Sequence, residues 1–488
     1  MRSDEQGKGI SRRAFLRDAC VLSTSLAVGG AAQAATNSTK TARKKGPESM
    51  TGNKPNIVFV FSDQQRWDTL GCYGQKMDIS PNLDKMARDG VRFENSFTCQ
   101  PVCGPARAAL QTGKYPTEIG CHTNGRMLPL DGKTMAHYLS DVGYEVGYIG
   151  KWHLAKCGTA AIPAERRGGY TDYWLASDVL EFTSHSYDGH MFNSKMERVE
   201  FPNDRYRVDC LTDFTIDYLK TRTREKPFFL FLSYIEPHFQ NDHKCFEGPR
   251  GSKEKYKDFE VPGDLVGTEG DWSEEYPDYL GCCNSLDANI GRIRESLEKL
   301  GLAENTLIVY TSDHACHFRT RNKEYKRSCH DNSIRTPLIV CGPGFKGGKV
   351  VSDMVSLIDL PPTVLAAAGR ELPPAMRGRP LQGLADGTAT DWPEEVFVQI
   401  SEDVIGRAVR TKKWKYSVVA EKPSEGPQPS GSDLYREHFL YDLEKDPHER
   451  ANLVRDPALA TVRAELAAVL KRRMVAVGEK EPIIQPAA

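Results

Sequence analysis

The sequence has almost no excess of charge of either sign and, beyond its first residues, no long apolar run. Its 488 residues include 65 lysines and arginines against 66 aspartates and glutamates, which gives a formal net charge of -1. This balance gives no support to nucleic-acid binding, because such proteins carry a cationic surface. Since no apolar run past the N-terminus is long enough to span a bilayer, stable membrane insertion is not expected.

A regular cysteine framework is also missing. The 13 cysteines are odd in number and irregularly spaced, which argues against a set of structural disulfides. With 39% hydrophobic residues, 41 glycines and 29 prolines, the composition is typical of a globular protein rich in loops. The length allows one large core and a smaller appended unit.

Residues 1–35 are typical of an export signal. Arg12 and Arg13 precede a weakly apolar Ala/Gly/Ser segment that ends in a small-residue cleavage site at residues 32–34. This order resembles a twin-arginine signal peptide. We therefore expect the twin-arginine translocase to export the folded protein to the periplasm or the extracellular space, with residues 36–54 as a flexible leader. A basic, disordered tail is the alternative interpretation.

Short apolar runs alternate with helical patterns along most of the chain. Apolar runs at residues 56–62, 145–150, 227–234, 306–312 and 337–342 predict buried parallel strands, and residues 80–91, 134–143 and 278–301 predict helices. This alternation predicts an α/β fold over residues 55–394, with a doubly wound, mostly parallel sheet flanked by helices. Residues 395–480 predict a smaller α+β subdomain, a short antiparallel sheet with a helix at 458–474.

Side chains suited to metal binding or acid–base chemistry follow four of these strands. Because ligands of open α/β sheets bind at the carboxyl ends of the strands, we expect these side chains to share one rim. Carboxylate and amide oxygens with one imidazole nitrogen suit a divalent cation. Lys151 and His153 are two residues apart, which in extended chain directs both side chains the same way. The residues are Asp63, Gln64, Lys151, His153, His238, Asp313 and His314.

Cys103 stands at the start of a predicted helix, in the segment QPVCGPARAALQTGKYP at residues 100–116. Pro105 suits the first helical turn, and Gly113 is a helix-ending residue. The unpaired N–H groups and the dipole at a helix N-terminus favour an anion there. Position alone leaves two interpretations open for Cys103, a buried inert thiol and a low-pKa thiolate nucleophile.

The sequence at residues 103–107, CGPAR, matches C-x-P-x-R, and the chain resembles the type I, formylglycine-dependent sulfatases of the alkaline phosphatase-like superfamily. Further similar segments in the family's order include NIVFVFSDQQRWDTLGCYG, GYIGKWHLA, SYIEPHF, TSDHA and EYKRSCHDNSIRTPLIVCGPG. The resemblance adds a third interpretation of Cys103. A formylglycine-generating maturation enzyme would oxidise it to Cα-formylglycine (3-oxoalanine) while the chain is unfolded, which agrees with later export of the folded protein.

The resemblance implies a sulfatase mechanism at the predicted rim. Hydrated formylglycine would attack the sulfate sulfur and form a covalent sulfo-enzyme, from which sulfate leaves as the aldehyde returns. His153 resembles the base of that last step, and His238 resembles the acid that protonates the leaving oxygen. Lys151 and Lys326 would hold the sulfate oxygens, and Arg107 would steady the diol and the metal ligands. For Lys326, a solvated charge in a basic run is the alternative.

The metal ligands implied by the resemblance are Asp63, Gln64, Asp313 and His314, joined by the oxygen of modified Cys103. Gln64 stands where many members have aspartate, and His314 stands where many have asparagine. These departures make the site less purely a cage of hard oxygens. Ca²⁺ is the expected cation, with Mn²⁺ as the alternative.

The loops around the rim are expected to select the substrate. Residues 155–210 are rich in Arg, Tyr and Trp, and residues 239–277 are long and polar, which suits a sulfated carbohydrate. Candidate contacts, each with an ordinary structural role as the alternative, are Asn124, Arg126, His185, His190 and His317.

The chain is thus predicted to be an exported, arylsulfatase-like hydrolase of sulfate monoesters. A phosphonate monoester or phosphodiester hydrolase and a catalytically silent glycan-binding relative are the alternatives.

Overall fold

Two β-sheets organise the described residues, which are 54–223, 225–421 and 426–487 of a computed structural model. The expected signal peptide and all but the last residue of the expected leader lie outside these ranges. The first sheet has ten strands in the order β10-β2-β9-β8-β1-β7-β3-β4-β5-β6, and the second has five in the order β11-β12-β13-β14-β15. The strands are β1 Asn56–Ser62, β2 Val91–Phe97, β3 Glu145–Lys151, β4 Tyr173–Ser177, β5 His190–Asn193, β6 Arg198–Glu200, β7 Phe228–Ser233, β8 Thr306–Ser312, β9 Leu338–Cys341, β10 Lys349–Ser356, β11 Glu395–Ile400, β12 Ile405–Thr411, β13 Trp414–Ala420, β14 Leu434–Asp442 and β15 Ile483–Gln485.

Helices cover both faces of the large sheet. They are α1 Pro81–Asp89, α2 Cys103–Thr112, α3 Met135–Ser140, α4 Leu180–Thr183, α5 Arg207–Lys220, α6 Ser252–Tyr256, α7 Trp272–Lys299, α8 Asp331–Ile334, α9 Leu360–Ala367, α10 Gln382–Asp386 and α11 Ala460–Ala476. Among the described residues, no helix is both long and apolar enough to cross a bilayer. Helix α7 begins six residues before the predicted start and continues through Pro277, because buried Tyr276 and Tyr279 hold this stretch against the core.

The centre of the large sheet is parallel and buried on both faces, as predicted. Strands β8, β1, β7, β3 and β4 are neighbours, and each adjacent pair is parallel. Successive residues of a strand point to opposite faces, so Phe59 of β1 packs in one apolar cluster and Val58 packs in the other. The first cluster includes Met135 of α3, and the second includes Leu286 of α7. The α/β, doubly wound fold is therefore confirmed.

Strand β9 departs from the prediction of a parallel strand. It is antiparallel to both of its neighbours, β8 and β2. The connection from β8 to β9, residues 313–337, contains only the four-residue helix α8 and carries Lys326. Because this connection stays at the carboxyl end of β8 and does not cross the sheet, β9 starts at the same rim and runs back.

The second sheet matches the predicted C-terminal layer with one difference. Strands β11 to β14 pair antiparallel, and α11 follows, as the pattern after residue 395 indicates. The edge strand β15 instead pairs parallel with β14. Leu466 and Leu470 of α11 pack with Tyr416 of β13 in one buried cluster. The exact domain bounds, 55–394 and 395–480, remain predictions.

Candidate active site

The carboxyl ends of neighbouring parallel strands supply the site. Ser62 of β1 is paired with Ser312 of β8, so Asp63 and Asp313 leave the sheet side by side. Strands β7 and β3 end level with them on the other side of β1. The prediction that these strand ends share one rim is confirmed.

Helix α2 begins at Cys103 and ends where the left-handed Gly113, with φ of 69°, reverses the chain. Both boundaries agree with the sequence prediction. The backbone N–H of Gly104 donates to Asn124 Oδ1 over 2.9 Å, and a Cβ on Gly104 would lie 2.9 Å from that same oxygen. Asn124, expected as a substrate contact, therefore orients the first turn of α2, and glycine is required for its close approach.

The Cys103 side chain lies at the centre of a buried group of cations and imidazoles. Its Sγ is 2.9 Å from Lys326 Nζ, 3.2 Å from His314 Nε2 and 3.5 Å from Asp63 Oδ1. Burial by itself raises the pKa of this thiol, but Lys326, Lys151 and His314 hold it well below its usual range. An anionic oxygen on residue 103 would meet the same stabilising charges, so the surroundings suit an activated nucleophile.

Two buried carboxylates face this residue in different electrostatic states. Although burial opposes ionisation, Lys151 Nζ and Arg107 Nη2, each 2.9 Å from Asp63 Oδ2, hold the pKa of Asp63 well below its usual range. Burial and then the nearby Asp63 raise the pKa of Asp313 to about 6. Asp313 Oδ2 is buried without a hydrogen-bond partner in the described part of the chain, and its charged neighbour Arg107 Nε lies 3.5 Å away. An unsatisfied carboxylate oxygen beside a second carboxylate indicates a place for a cation.

The donor set fits a divalent metal ion. One ligand atom from each of Asp63, Cys103, Asp313 and His314 lies within 4.8 Å of the others. His314 Nδ1 contacts the Ala315 carbonyl over 2.9 Å, which leaves Nε2 to face Cys103 as an electron-pair donor. Two carboxylates, one imidazole and an oxygen on residue 103 are ligands that Ca²⁺ and Mn²⁺ both accept, so the identity of the ion stays open.

Gln64 lies beside this cluster with a different set of contacts. Its backbone N–H donates to Asp313 Oδ1 over 3.0 Å, and its side-chain amide donates to Cys316 Sγ over 3.4 Å. Its backbone is left-handed, with φ of 69°, and a non-glycine residue in this region is strained. Gln64 thus orients Asp313. The role of Gln64 as a metal ligand remains a prediction.

Lys326 and His238 lie next to each other in the site. His238 Nδ1 bonds the Phe239 carbonyl at 2.6 Å, so Nε2 is directed at Lys326 Nζ, 3.1 Å away. Burial and then Lys326 lower the pKa of His238, which favours the neutral ring. His317 Nε2 in turn contacts the Lys326 carbonyl over 3.1 Å. Since Lys326 is 6% exposed, the alternative of a solvated charge is wrong.

Lys151 and His153 converge on residue 103, but not through extended chain as expected. Strand β3 ends at Lys151, and His153 adopts the left-handed region with φ of 59°. The backbone N–H of His153 donates to Asp178 O over 2.8 Å, which turns the chain away from the sheet. The His153 side chain is still close enough to Cys103 to help lower the pKa of that thiol, while its Nδ1 is buried without a hydrogen-bond partner among the described residues.

Glu181 is a residue of the site that the sequence interpretation missed. It lies in α4, just past the end of β4, and its carboxylate accepts from Lys151 Nζ over 3.2 Å. Lys151 is thereby held between Glu181 and Asp63 with no exposed surface. The strand-end rule would have reached Glu181 had the run YWLAS been identified as a strand. Arg107 contacts the predicted metal ligand Asp63 over 2.9 Å, and it also donates to Lys151 O at 3.0 Å and Ser233 Oγ at 2.7 Å. Its role of steadying the diol remains a prediction.

The other candidate substrate contacts have protein partners, and their role toward a substrate remains a prediction. Arg126 donates to Thr123 Oγ1 over 3.1 Å, and His190 accepts from Arg198 over 3.1 Å. Asp331, five residues after Lys326, faces away from the site. Its carboxylate binds Arg410 of β12 and Lys415 of β13.

Comparison with known protein families identifies the family of this chain. The sequence model of the sulfatase family matches residues 55–370, more than half of the chain. The chain belongs to the sulfatase family. It is accordingly a sulfuric ester hydrolase with an alkaline phosphatase-like fold. A second model, described as the C-terminal part of N-sulphoglucosamine sulphohydrolase, matches residues 324–476.

Known sulfatases resemble this one over most of their length. An ulvan-active sulfatase of Formosa agariphila is 30% identical over 449 residues, which cover 88% of this chain and 82% of the relative. An N-acetylglucosamine-6-O-sulfatase of Bacteroides thetaiotaomicron is 25% identical, with 89% of each chain covered. An enzyme solved in complex with its substrate D-glucosamine-2-N,6-O-disulfate shares the fold, with a TM-score of 0.71, 23% identity and coverage of 88% of this sulfatase and 99% of that chain.

Proposed function

We propose that this protein is an exported sulfatase that hydrolyses sulfate monoesters of a sulfated saccharide. It would use a formylglycine made from Cys103, a covalent sulfo-enzyme intermediate and a bound divalent cation. The observation that carries the proposal is the convergence of Lys326, His314 and Asp63 on the buried Sγ of residue 103, within 3.5 Å. The names of the ulvan-active and N-acetylglucosamine-6-O-sulfatase relatives support a saccharide substrate.

Each residue then has a role set by its position. Lys326, between residue 103 and His238, would bind a sulfate oxygen and offset its charge. His238 Nε2 faces the same space and would protonate the leaving alcohol oxygen once an anion there favours the charged ring. His153, next to residue 103, would remove the proton from its hydroxyl. The cation, held by Asp63, Asp313 and His314, would supply positive charge at residue 103.

Mass spectrometry of one tryptic peptide tests the modification. Cleavage after Arg92 and Arg107 releases residues 93–107, which carry both Cys99 and Cys103. In protein produced together with a maturation enzyme, we expect an aldehyde at position 103 and a thiol at Cys99, which is the internal control. Cys103→Ala should abolish aryl sulfate turnover. A thiol at both positions in active enzyme contradicts the proposal.

The same preparation separates the two alternatives. Faster turnover of aryl phosphonate esters than of aryl sulfates would identify a phosphonate hydrolase. An unmodified thiol with glycan binding unchanged by Cys103→Ala would identify a silent glycan-binding protein.

A further inference from the structure

A second group of metal-ligating side chains lies outside the active site. One ligand atom from each of His185, Asp242 and His243 lies within 4.8 Å of the others. His185 belongs to the loop between α4 and β5, and the other two belong to the loop that follows His238. The group therefore spans two loops that flank the active site, and the sequence gives no spacing pattern that would reveal it.

Carboxylates hold the far nitrogen of both histidines. His185 Nδ1 lies 3.2 Å from Asp188 Oδ1, and His243 Nδ1 lies 2.5 Å from Glu247 Oε1. Metal-binding histidines commonly donate their other ring N–H to a carboxylate, which fixes the ring and makes the ligating nitrogen more basic. The two rings are stacked, with centroids 4.3 Å apart and an interplanar angle of 9°, and a nitrogen of each lies within 4.8 Å of the other and of an Asp242 oxygen.

Asp242 is oriented toward the same place. Gln240 Nε2 donates to Asp242 Oδ1 over 2.8 Å, and Asp242 Oδ2 lies 2.9 Å from His185 Nε2. Gln240 also donates to the Glu181 carbonyl over 2.5 Å, and the Glu181 side chain accepts from Lys151. The carboxylate is thus fixed by a residue that links it to the active-site wall.

We propose that His185, Asp242 and His243 bind a divalent transition-metal ion, with Zn²⁺ as the best match. Two imidazoles and one carboxylate, with water as a fourth ligand, are a common zinc set. When the ion binds, the proton between Asp242 Oδ2 and His185 Nε2 leaves to solvent, and both atoms bind the ion in place of their mutual hydrogen bond. The side chains of His185, Asp242 and His243 are 33%, 37% and 47% exposed, so the ion has direct access from solvent. A bound ion joins the two loops.

Calorimetric titration of the full chain with Zn²⁺ tests this site. Excess Ca²⁺ is present throughout, because it competes for the active-site carboxylates and not for imidazoles. We expect His185→Ala and His243→Ala each to lose one equivalent of bound Zn²⁺. His190→Ala, which removes a nearby histidine outside the group, should retain it. Glu247→Gln should weaken binding about tenfold, because it alters the partner of a ligand and not a ligand itself, and glutamine keeps an oxygen that can accept from Ser186 Oγ.

Two further measurements test the same zinc site. Zn²⁺ should raise the Tm of the wild type and of His190→Ala, but not that of His185→Ala. X-ray absorption of the Zn²⁺-loaded protein should show two imidazoles on the ion. The proposal is wrong if His185→Ala and His243→Ala bind as much Zn²⁺ as the wild type. If either variant fails to fold, the Glu247→Gln variant decides the question. A Zn²⁺ affinity equal to that of the wild type then overturns the proposal.

Discussion

At the residue scale, Lys326 places its ammonium group between the Cys103 side chain and the imidazole of His238. Its Nζ is within 3.1 Å of both, and its backbone carbonyl is held by His317. Such a fixed, dehydrated charge stabilises developing negative charge much more than an exposed lysine does. His317 therefore acts as a positioning residue for Lys326.

Removal of this charge should slow the reaction strongly. We expect Lys326→Ala to lower kcat/KM for an aryl sulfate about 10²- to 10³-fold, the usual loss when one charge-stabilising donor is deleted. Lys323→Ala, which alters an exposed lysine of the same loop, is the matched control and should leave the rate unchanged. Equal rates for both variants would contradict the assignment.

The proposed metal ion leads to a separate prediction. Because Asp313 Oδ2 is buried without a hydrogen bond among the described residues and has a charged contact of 3.5 Å with Arg107 Nε, a cation has room to bind it; chelation should therefore abolish turnover, and added Ca²⁺ or Mn²⁺ should restore it. Asp313→Asn removes a charge from the ligand set and should weaken restoration by the same ion at least about tenfold. Full activity in protein that is free of metal by elemental analysis would be the contrary result.

At the element scale, the connection between β8 and β9 joins the active site to the second sheet. It delivers Lys326 to the site, and five residues later Asp331 binds Arg410 over 3.0 Å and Lys415 over 2.6 Å. Glu449 accepts from the Asp331 backbone N–H over 2.6 Å and completes the buried cluster. The second sheet thereby fixes the far end of the loop that presents Lys326.

Loss of the Asp331 charge should destabilise the whole fold. Asp331→Asn leaves Arg410 and Lys415 buried with one carboxylate fewer, and we expect a loss of about 3–5 kcal/mol in the free energy of unfolding, measured with urea. Asp258→Asn, at an exposed position, is the control and should change it by less than about 0.5 kcal/mol.

The pH dependence of this effect has a definite sign. Although burial opposes it, Arg410 and Lys415 hold the pKa of Asp331 well below its usual range. The stabilisation is therefore complete above the unfolded pKa of about 3.9 and declines as the pH falls below it. The difference in stability between wild type and Asp331→Asn should shrink in this acid range. A difference that grows with acidity would contradict the ion cluster.

How far the sequence predicts these elements depends on which interactions define them. The limits of β1 and β8 match the apolar runs to the residue, because a buried parallel strand is apolar on both faces. The antiparallel direction of β9 depends on the path of the long connection from β8, and no local sequence pattern indicates that path. The left-handed turn at His153 likewise depends on a distant carbonyl, that of Asp178. Strand-end chemistry was therefore predictable, whereas the orientation of each side chain was not.

At the scale of the whole molecule, the proposed export route concerns residues beyond the described part of the chain. A twin-arginine signal delivers proteins that have already folded, which would suit a large domain whose proposed modification is made in the cytoplasm. Both the signal at residues 1–35 and the destination remain proposals.

Substitution of the arginine pair tests the route. Arg12→Lys combined with Arg13→Lys should leave the protein unprocessed in the cytoplasm of a bacterium that has the translocase, as followed by cell fractionation and immunoblotting. Arg17→Lys, in the same segment but outside the pair, should be exported normally. Equal processing of both proteins would rule out the twin-arginine route.

The burial of residue 103 also fixes an order of events. With 1% of its surface accessible, Cys103 is beyond the reach of any protein-sized catalyst once α2 has packed. The proposed conversion to the aldehyde would therefore have to be complete before this domain folds. Protein produced without the maturation enzyme would stay inactive when that enzyme is added to the folded protein. Cys103 would become accessible to the enzyme only after denaturation.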